Sequence, residues 1–284
     1  MTDESLPMKE TDAAILPVLE ELALAAGRAI LKIREEGITV DIKPDASPVT
    51  RADREAERII LDGLHRHFPA VPIVAEEEAS AGRLPERLGE AFFLVDPLDG
   101  TKEFVKGHSD FTVNIALIRR GVPEIGVVYA PARGVLYSGC CSAGASAVEI
   151  ASDGRPERRQ TITVRIACAP LTVVASRSHR TRETDDYLTQ CPGAEILSVG
   201  SSLKFCMLAA GKADLYPRFG RTMEWDTAAG DAVLRAGGGM TSTTDGKPLC
   251  YGKRGQQDDA DFANPWFIAA TSRSLDPFEG GNSS

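Results

Sequence analysis

Apolar residues recur at steps of three and four along residues 12–36, the first patterned stretch of the chain. This period places them on one face of an amphipathic helix. Pro17 fits such a helix only near its first turn, because proline lacks the backbone N–H that interior turns need, and Gly37 marks the end. A second helix is predicted for residues 50–67. The inward positions are Leu19, Leu22, Ala26, Ile30 and Ile33 in the first helix, and Ile59, Ile60 and Leu64 in the second.

Short stretches rich in β-forming residues, bounded by turn residues, occupy most of positions 38–138 outside these helices. From residue 172 onward, predicted strands and helices alternate, which is typical of a layered α/β structure. The predicted strands are 38–42, 72–75, 91–95, 111–119, 124–130, 135–138, 172–175, 196–199, 214–216 and 266–271. The predicted later helices are 182–190, 203–210 and 227–236.

The polar segment 151–160, which contains the turn-forming run Asp153-Gly154-Arg155-Pro156, is the best candidate for a domain boundary. We therefore predict two halves with short extensions at either end. They are a flexible lead-in at 1–11, an N-terminal α+β half at 12–150, a C-terminal α/β half at 151–273 and a tail at 274–284.

The net charge of −9 and the pI near 5.1 argue against binding of DNA, RNA or an anionic membrane surface. An acidic enzyme that acts on phosphates needs local positive charge, most simply bound cations. None of the six cysteines forms a C-x-x-C pair, which disfavours a zinc ribbon or a thioredoxin-type site. The chain has no signal-peptide pattern and no integral membrane segment of about 20 apolar residues. We predict a soluble, cytoplasmic protein; peripheral association with the inner face of the cell membrane stays open.

Candidate chemistry begins in the segment 96–101, Asp-Pro-Leu-Asp-Gly-Thr, which follows an apolar strand. The end of such a strand is where ligand sites form in α/β sheets. Asp96, Asp99 and the carbonyl of Leu98 are oxygen ligands of the kind that Mg²⁺ prefers. Thr101 adds a hydroxyl, and a helix starting there could receive a phosphate at its free N–H groups. Taken alone, the segment could also be an ordinary surface turn, because Asp, Pro and Gly favour turns.

A phosphatase that forms an aspartyl-phosphate uses two aspartates separated by one residue. Two residues separate Asp96 from Asp99, which disfavours that reading.

Three further acidic residues occupy positions compatible with the same site. Glu76 directly follows the predicted strand 72–75 and could join the aspartates as a third metal carboxylate. Asp226 is predicted to cap the helix at 227–236, and a capping aspartate can also face a metal. Asp53 would lie in the first turn of the second helix, where the helix dipole alone is a sufficient explanation.

Three separated blocks resemble the inositol-monophosphatase superfamily of lithium-sensitive, Mg²⁺-dependent phosphatases. They are VAEEE at 74–78, DPLDGTKEF at 96–104 and EWDTAAGDAVLRAGGG at 224–239. Within that superfamily, three other blocks are similar to the 3′(2′),5′-bisphosphate nucleotidases, the CysQ branch. These blocks are SPVTRAD at 47–53, SRSHR at 176–180 and GSSLKFCMLAAGKADLYPRFG at 200–220. The resemblance covers residues 12–272, nearly the whole chain, and implies an α/β (α+β) fold, a layered αβαβα sandwich.

The resemblance also implies a role for each matching residue. Asp53 and Thr101 would orient or deprotonate the attacking water, with Glu76 as a further catalytic residue. Two or three Mg²⁺ ions would be held by the carboxylates of Glu76, Asp96, Asp99 and Asp226 and by the carbonyl of Leu98. The substrate would be contacted by Gly100, Thr101, His179, Ser201, Lys204, Arg218 and Asp226.

The activity implied is hydrolysis of the 3′-phosphate of adenosine 3′,5′-bisphosphate to AMP, with 3′-phosphoadenylyl sulfate as a further substrate and a role in sulfur assimilation. The partner would be this small nucleotide, and the protein a monomer or homodimer. One alternative is an inositol monophosphatase or another sugar-phosphate phosphatase; Lys204 and Arg218 suit a substrate with two phosphates better. The other is a non-catalytic nucleotide or metal sensor, which has no need for the pair Asp53 and Thr101.

Overall fold

The computed structural model describes residues 12–43, 48–178 and 180–272 of the 284-residue chain. The predicted lead-in, the predicted tail and His179 lie outside the described residues. None of the helices in these ranges is both long and apolar enough to cross a membrane. The helices are α1 (Asp12–Glu36), α2 (Arg51–His67), α3 (Glu76–Ser80), α4 (Thr101–Val105), α5 (Arg182–Leu188), α6 (Leu203–Ala209) and α7 (Glu224–Ala236).

The strands form a hairpin and two larger sheets. Those of the hairpin are β1 (Val40–Ile42) and β2 (Pro48–Thr50). Those of the first sheet are β3 (Ile73–Ala75), β4 (Ala91–Asp99), β5 (Thr112–Arg119), β6 (Val122–Ala130), β7 (Val135–Cys140), β8 (Gly144–Ile150) and β9 (Pro156–Ile162). Those of the second sheet are β10 (Thr172–Ser176), β11 (Glu195–Val199), β12 (Leu215–Arg218), β13 (Met240–Thr243) and β14 (Phe267–Ala270).

The first sheet follows chain order from β3 to β9, and only its β3–β4 pair is parallel. The second sheet has the order β11-β10-β12-β14-β13. In it β10 is parallel to β11 and β12, whereas β14 is antiparallel to β12 and β13. The predicted alternation of strands and helices accounts for the parallel part of the second sheet, because a helix between two strands allows the second strand to run parallel to the first.

Strand β4 shows why its sequence is a continuous apolar run. Phe92 and Leu94 point into one hydrophobic cluster, and Phe93 and Val95 point into another on the opposite face. Successive side chains of a strand alternate between faces, so a strand covered on both sides needs apolar residues at every position.

These clusters define five layers. Helices α1 and α2 cover one face of the first sheet, and α6 and α7 lie between the two sheets. Helix α5 packs on the outer face of the second sheet, where Tyr187 and Leu188 meet Val173 and Leu215. The predicted αβαβα sandwich is confirmed.

Helix α7 lies unusually close to the first sheet. A Cβ atom at Gly126 on β6 would lie 2.3 Å from the carbonyl oxygen of Ala229 on α7, a distance that no real Cβ tolerates. Glycine is therefore required for this helix to reach the strand. The result is that a helix encoded late in the chain is packed against a sheet encoded in its first half.

The polar segment 151–160 contains a strand that was not predicted. Its second half, residues 156–160, belongs to β9, which pairs with β8 and extends the first sheet to Ile162. Six of its seven residues are exposed because β9 is the edge strand, so its sequence has the polarity of a loop. The division of the chain into two halves near residue 150 stays a prediction.

Candidate active site

A cavity of about 270 Å³ opens between the two sheets; we call it the central cavity. Two of its surfaces have opposite chemistry. The acidic wall consists of Glu76, Asp96, Asp99 and Asp226, and the basic wall of Lys204 and Arg218. All the predicted site residues line this cavity with two exceptions: Asp53 lies one hydrogen bond behind it, and His179 lies outside the described residues.

A bulge in β4 brings Asp96 and Asp99 to the same cavity. Asp96 is paired with Asn114 of β5, whereas Asp99 is paired with Thr112, so β4 holds one extra residue here. In a regular strand, side chains three positions apart point to opposite faces. The extra residue removes that restriction, and the backbone between the two aspartates turns so that Leu98 N–H donates to Asp96 Oδ1 at 3.0 Å.

Glu76 and Asp226 reach the cavity from the ends of two helices. Glu76 is the first residue of α3, directly after β3. Helix α7 begins at Glu224, so Asp226 is its third residue rather than its N-cap, which corrects the expected helix start. From that position its carboxylate accepts the backbone N–H of Met223 at 2.8 Å. The N-cap is Met223, and Asp226 satisfies the backbone N–H of that residue from the third position of the helix.

The acidic wall is electrostatically unfavourable without a cation. Burial, together with the negative charges of its neighbours, raises the pKa of Asp96 well above its usual value. Burial and the same kind of repulsion raise the pKa of Asp226 well above the usual value. Carboxylates that repel one another in a buried site are stabilised by a bound cation, which displaces their protons. The donor atoms at hand are carboxylate and carbonyl oxygens, which fit a hard divalent metal ion.

Lys43 partly compensates the negative charge of the acidic wall. Its Nζ lies 2.7 Å from Glu76 Oε1 and 2.6 Å from Glu77 Oε1. Burial disfavours the ammonium of Lys43, but the two carboxylates outweigh that effect and raise its pKa. Within the described ranges, no three His, Cys, Asp or Glu side chains form a compact ready-made metal cluster. The acidic wall is therefore a set of oxygen donors held by hydrogen-bonding partners rather than gathered around one point.

Glu57, a buried carboxylate outside the acidic wall, fixes the helix that carries Glu76. Glu57 on α2 accepts the backbone N–H groups of Glu77 at 2.8 Å and Glu78 at 3.1 Å, which fixes the first turn of α3. Burial raises the pKa of Glu57 to about 7, with a further contribution from the charges of neighbouring glutamates. This arrangement holds Glu76 at the rim of the cavity.

Thr101 and Asp53 are in direct contact. The Thr101 hydroxyl lies 3.0 Å from Asp53 Oδ1 and 3.2 Å from the carbonyl oxygen of Leu98. Asp53 also accepts the backbone N–H and the hydroxyl of Thr50, so it both caps α2 and reaches Thr101. Burial raises the pKa of Asp53 although these hydrogen bonds oppose the rise.

Gly100 makes the start of α4 possible at this point. Its φ of +91° is in the left-handed region, and a Cβ atom there would lie 2.9 Å from the carbonyl oxygen of Asp110. Only glycine adopts this conformation without strain. The turn delivers Thr101 to the cavity immediately after Asp99.

The basic wall comes from the second half of the chain. Lys204 on α6 donates to the carbonyl oxygen of Ser201 at 2.6 Å, and its Nζ lies 5.2 Å from the centre of the Tyr216 ring. Burial, with the nearby charge of Arg218, lowers the pKa of Lys204 to about 8 in spite of the carboxylates around it. Arg218 on β12 donates to the carbonyl oxygen of Arg221 at 3.1 Å.

Ser201, predicted to contact substrate, bonds to the acidic wall in this structure. Its hydroxyl donates to Asp99 Oδ2 at 2.7 Å and also meets the hydroxyl of Thr112. The neighbouring Ser202 donates its backbone N–H to the same Asp99 oxygen at 2.7 Å. The segment before α6 therefore connects the acidic and basic walls. The role of each predicted residue in binding or catalysis stays a prediction.

Four residues of this site were not predicted from the sequence: Lys43, Glu57, Asn114 and Ser202. Glu57 carried a usable signal, because it falls four positions after Asp53 on the inward face of α2, where an ionisable side chain is unusual. Asn114 had a weaker signal as a polar residue within an apolar strand. Ser202 lies next to Ser201 in the block 200–220, whereas Lys43 carried no signal, since only the folded structure brings it to Glu76 and Glu77.

Comparison with known proteins adds evidence independent of this geometry. The model of the inositol monophosphatase family matches residues 12–274. The 3′(2′),5′-bisphosphate nucleotidase CysQ of Escherichia coli K12 is 44% identical over 254 residues, covering 87% of this chain and 96% of that protein. CysQ of Haemophilus influenzae is 28% identical over 256 residues, covering 90% and 92%.

A similar solved structure is CysQ from Bacteroides thetaiotaomicron, a bacterial member of the inositol monophosphatase family. It superposes with a TM-score of 0.73 at 36% identity, covering 94% of this chain and all of that one. An inositol monophosphatase from Anabaena superposes with a TM-score of 0.70 at 26% identity, covering 95% of each chain.

Proposed function

The chain belongs to the inositol monophosphatase family, and on that premise we propose that it is a 3′(2′),5′-bisphosphate nucleotidase. It hydrolyses the 3′-phosphate of adenosine 3′,5′-bisphosphate to AMP and phosphate, and it accepts 3′-phosphoadenylyl sulfate as well. The observation that carries the proposal is one cavity with a wall of four carboxylates and a wall made by Lys204 and Arg218. A substrate with two phosphates can place one at each wall.

The metal requirement follows from the donor set. Members of this family are metal-dependent phosphatases, and we assign Mg²⁺ because the carboxylates of the acidic wall and the carbonyl of Leu98 are all oxygen ligands. Two or three ions per site accord with the number of donors. Bound there, Mg²⁺ supplies a Lewis acid that lowers the pKa of a water molecule and neutralises charge on phosphate oxygens.

The chain's own residues handle the proton and the orientation of the substrate. Thr101 donates its hydroxyl proton to Asp53, and this leaves the threonine oxygen free to accept a hydrogen bond from the attacking water. As the water oxygen bonds to phosphorus, its proton passes to this pair, and the bond from phosphorus to the ribose 3′ oxygen breaks. Gly100 and Thr101 contact the transferred phosphate. The group that protonates the ribose oxygen is solvent water.

The basic wall distinguishes this substrate from simpler ones. Lys204 is a buried point charge and Arg218 a planar guanidinium, the two side chains that bind phosphate most readily. They favour a nucleotide that still carries its 5′-phosphate. Ser201 and His179 are proposed to complete the nucleotide site.

The deciding experiment measures kcat/KM for adenosine 3′,5′-bisphosphate, 3′-AMP and inositol 1-phosphate with Mg²⁺. We expect the bisphosphate to be hydrolysed at least about tenfold more efficiently than 3′-AMP, because each charge-assisted hydrogen bond contributes roughly 1.5–3 kcal/mol. A higher kcat/KM for inositol 1-phosphate would instead identify an inositol or sugar-phosphate phosphatase. Absence of phosphate release from all three substrates would favour a sensor. A cytoplasmic location, lithium sensitivity and a monomeric or dimeric state stay predictions.

A further inference from the structure

The hydroxyl group of Ser202 lies at the junction between the two sheets, behind the acidic wall. Ser202 is 2% exposed and immediately precedes α6. Its Oγ lies 2.5 Å from the backbone carbonyl oxygen of Asp226 on α7 and 3.0 Å from Asn114 Nδ2 on β5. Its backbone N–H donates to Asp99 Oδ2 at 2.7 Å. One residue thus contacts two of the proposed metal ligands, which come from different halves of the chain.

The proton positions in this network follow from the number of donors. The amide nitrogen of Asn114 can only donate, so the Ser202 oxygen accepts from it. The single hydroxyl proton of Ser202 is then available for an acceptor, and the carbonyl oxygen of Asp226 is much nearer than Asp99 Oδ2, which lies at 3.3 Å. Ser202 therefore donates to Asp226.

The far end of the network lies in the first sheet. Asn114 is 1% exposed, and its Oδ1 lies 2.9 Å from the hydroxyl oxygen of Thr112, which also contacts the hydroxyl of Ser201. Thr112 and Asn114 are also the residues that pair with Asp99 and Asp96 across the bulge in β4. A chain of hydrogen bonds consequently runs from Thr112 through Asn114 and Ser202 to the backbone of Asp226. It joins the first sheet to α6 and α7.

We infer that Ser202 is a positioning residue that sets the distance between the carboxylates of Asp99 and Asp226, and with it the affinity for the metal. Buried hydrogen bonds of this kind orient metal ligands, and their loss typically weakens metal binding about 10–100-fold. The inference rests on the proposed function in that it needs Asp99 and Asp226 to bind metal. It assigns Ser202 no contact with the substrate.

The test uses Ser202→Ala and Ser202→Cys in the full-length protein. Alanine removes the hydroxyl but keeps the backbone N–H on Asp99, and cysteine fills the volume with a weak donor. We expect both variants to bind Mg²⁺ about 10–100-fold more weakly in calorimetric titration without substrate. At saturating Mg²⁺, KM for the bisphosphate should stay within about twofold of the wild-type value, since the basic wall is unchanged.

Ser138→Ala is the matched control. Ser138 is 1% exposed, and its hydroxyl bonds to that of Ser146 within the first sheet, away from the cavity. This variant should lose a buried serine hydroxyl without any change in Mg²⁺ affinity. A second test compares the double variant Ser202→Ala/Asn114→Leu with the two single variants, Ser202→Ala and Asn114→Leu. Both substitutions break the same chain of hydrogen bonds, so the double variant should bind Mg²⁺ no more weakly than the single variant with the lower affinity.

Unchanged Mg²⁺ affinity in both Ser202 variants would overturn the inference. This holds even if the variants melt at a lower temperature, provided that the affinity is measured well below that temperature. Additive losses in the double variant would also overturn it. The calorimetric readout needs no turnover, so these outcomes are distinct from a failure of the proposed function. If the wild-type protein binds Mg²⁺ but does not hydrolyse the bisphosphate, the substrate assignment is wrong and the role of Ser202 is still measurable.

Discussion

The acidic and basic walls of the central cavity carry opposite charges, yet burial acts on both in the same direction. It raises the pKa of Asp96 and Asp226 and lowers that of Lys204 to about 8. In each case the neutral form gains, because a charge removed from water is costly. Each wall is therefore stabilised by a ligand of the opposite sign. In the proposed function the two walls differ in their ligand, which is a cation at the acidic wall and the anionic substrate at the basic wall.

If the walls are specialised in this way, damage to the acidic wall should abolish turnover of every substrate. Asp99→Asn removes a negative charge and is expected to lower kcat at least about 10²–10³-fold on both adenosine 3′,5′-bisphosphate and 3′-AMP. Losses of that size follow when one group that stabilises transition-state charge is removed. The measurement is phosphate release at saturating Mg²⁺.

The control for this variant is Glu149→Gln, which neutralises an exposed carboxylate whose partner is Arg158 on the edge strand β9. It should leave kcat unchanged, because exposed ion pairs contribute little to stability. Substantial activity in Asp99→Asn would contradict the assignment of the acidic wall.

Damage to the basic wall should be smaller and selective. Lys204→Met is expected to lower kcat/KM for the bisphosphate about 10–100-fold, the value of one charge-assisted hydrogen bond of roughly 1.5–3 kcal/mol. For 3′-AMP, which has no second phosphate, the loss should be only a few-fold. Equal losses of kcat/KM on both substrates would show that Lys204 does not act on the second phosphate.

The pKa of Lys204 gives this wall its own pH dependence. Because burial lowers that pKa to about 8, the ammonium is lost as pH rises through this value, and with it the attraction for phosphate. We expect kcat/KM of the wild-type protein for the bisphosphate to fall above about pH 8. The same fall should be missing for 3′-AMP and in Lys204→Met. A wild-type profile that is flat up to pH 10 would contradict this role.

The smallest expected effect concerns Glu57, the acid behind the acidic wall. Its pKa rises from 4.5 to about 7 on folding, so the folded state binds the proton more tightly and gains most stability below pH 4.5. That gain is lost as pH rises through about 7, and it amounts to at most about 3 kcal/mol. Glu57→Gln lacks the titrating group.

In chelator-treated protein, the stability of the wild type should therefore fall more between pH 5 and pH 8 than that of Glu57→Gln, as measured by urea unfolding. Glu55→Gln, at a half-buried position of the same helix where the carboxylate pairs with Arg58, is the matched control and should follow the wild type. If the free energy of unfolding changed with pH equally in Glu57→Gln and in the wild type, burial of Glu57 would not destabilise its ionised form.

Much of the layered fold could be predicted from the sequence because burial leaves a periodic record. The apolar face of α1 and the continuous apolar run of β4 were predicted correctly. The five-layer architecture was implied by the family resemblance rather than by periodicity, and it is confirmed. Strand β9 was missed because an edge strand with exposed residues carries no such record. Strand β8 was missed as well, since its alternation of small and apolar residues is weak.

The site was predictable where chemistry is concentrated in short blocks. Asp96, Asp99 and Thr101 lie within six residues of one another, so their grouping is visible in the sequence. The bulge that aims both aspartates into one cavity depends on pairing with β5, which no local pattern specifies. Ser202 and Asn114 are 88 positions apart in sequence, and only the packing of the two sheets makes them partners.

The close approach of α7 to Gly126 has a consequence for the order in which the protein is made. The first sheet is complete once Ile162 has been synthesised, but α7 begins only at Glu224. During translation at about 5–20 residues per second, one apolar face of that sheet, including Phe92, Leu94 and Val128, lacks its cover for several seconds. The apolar face of the first sheet is therefore made before the helix that covers it, and the acidic wall cannot be completed until Asp226 has been synthesised.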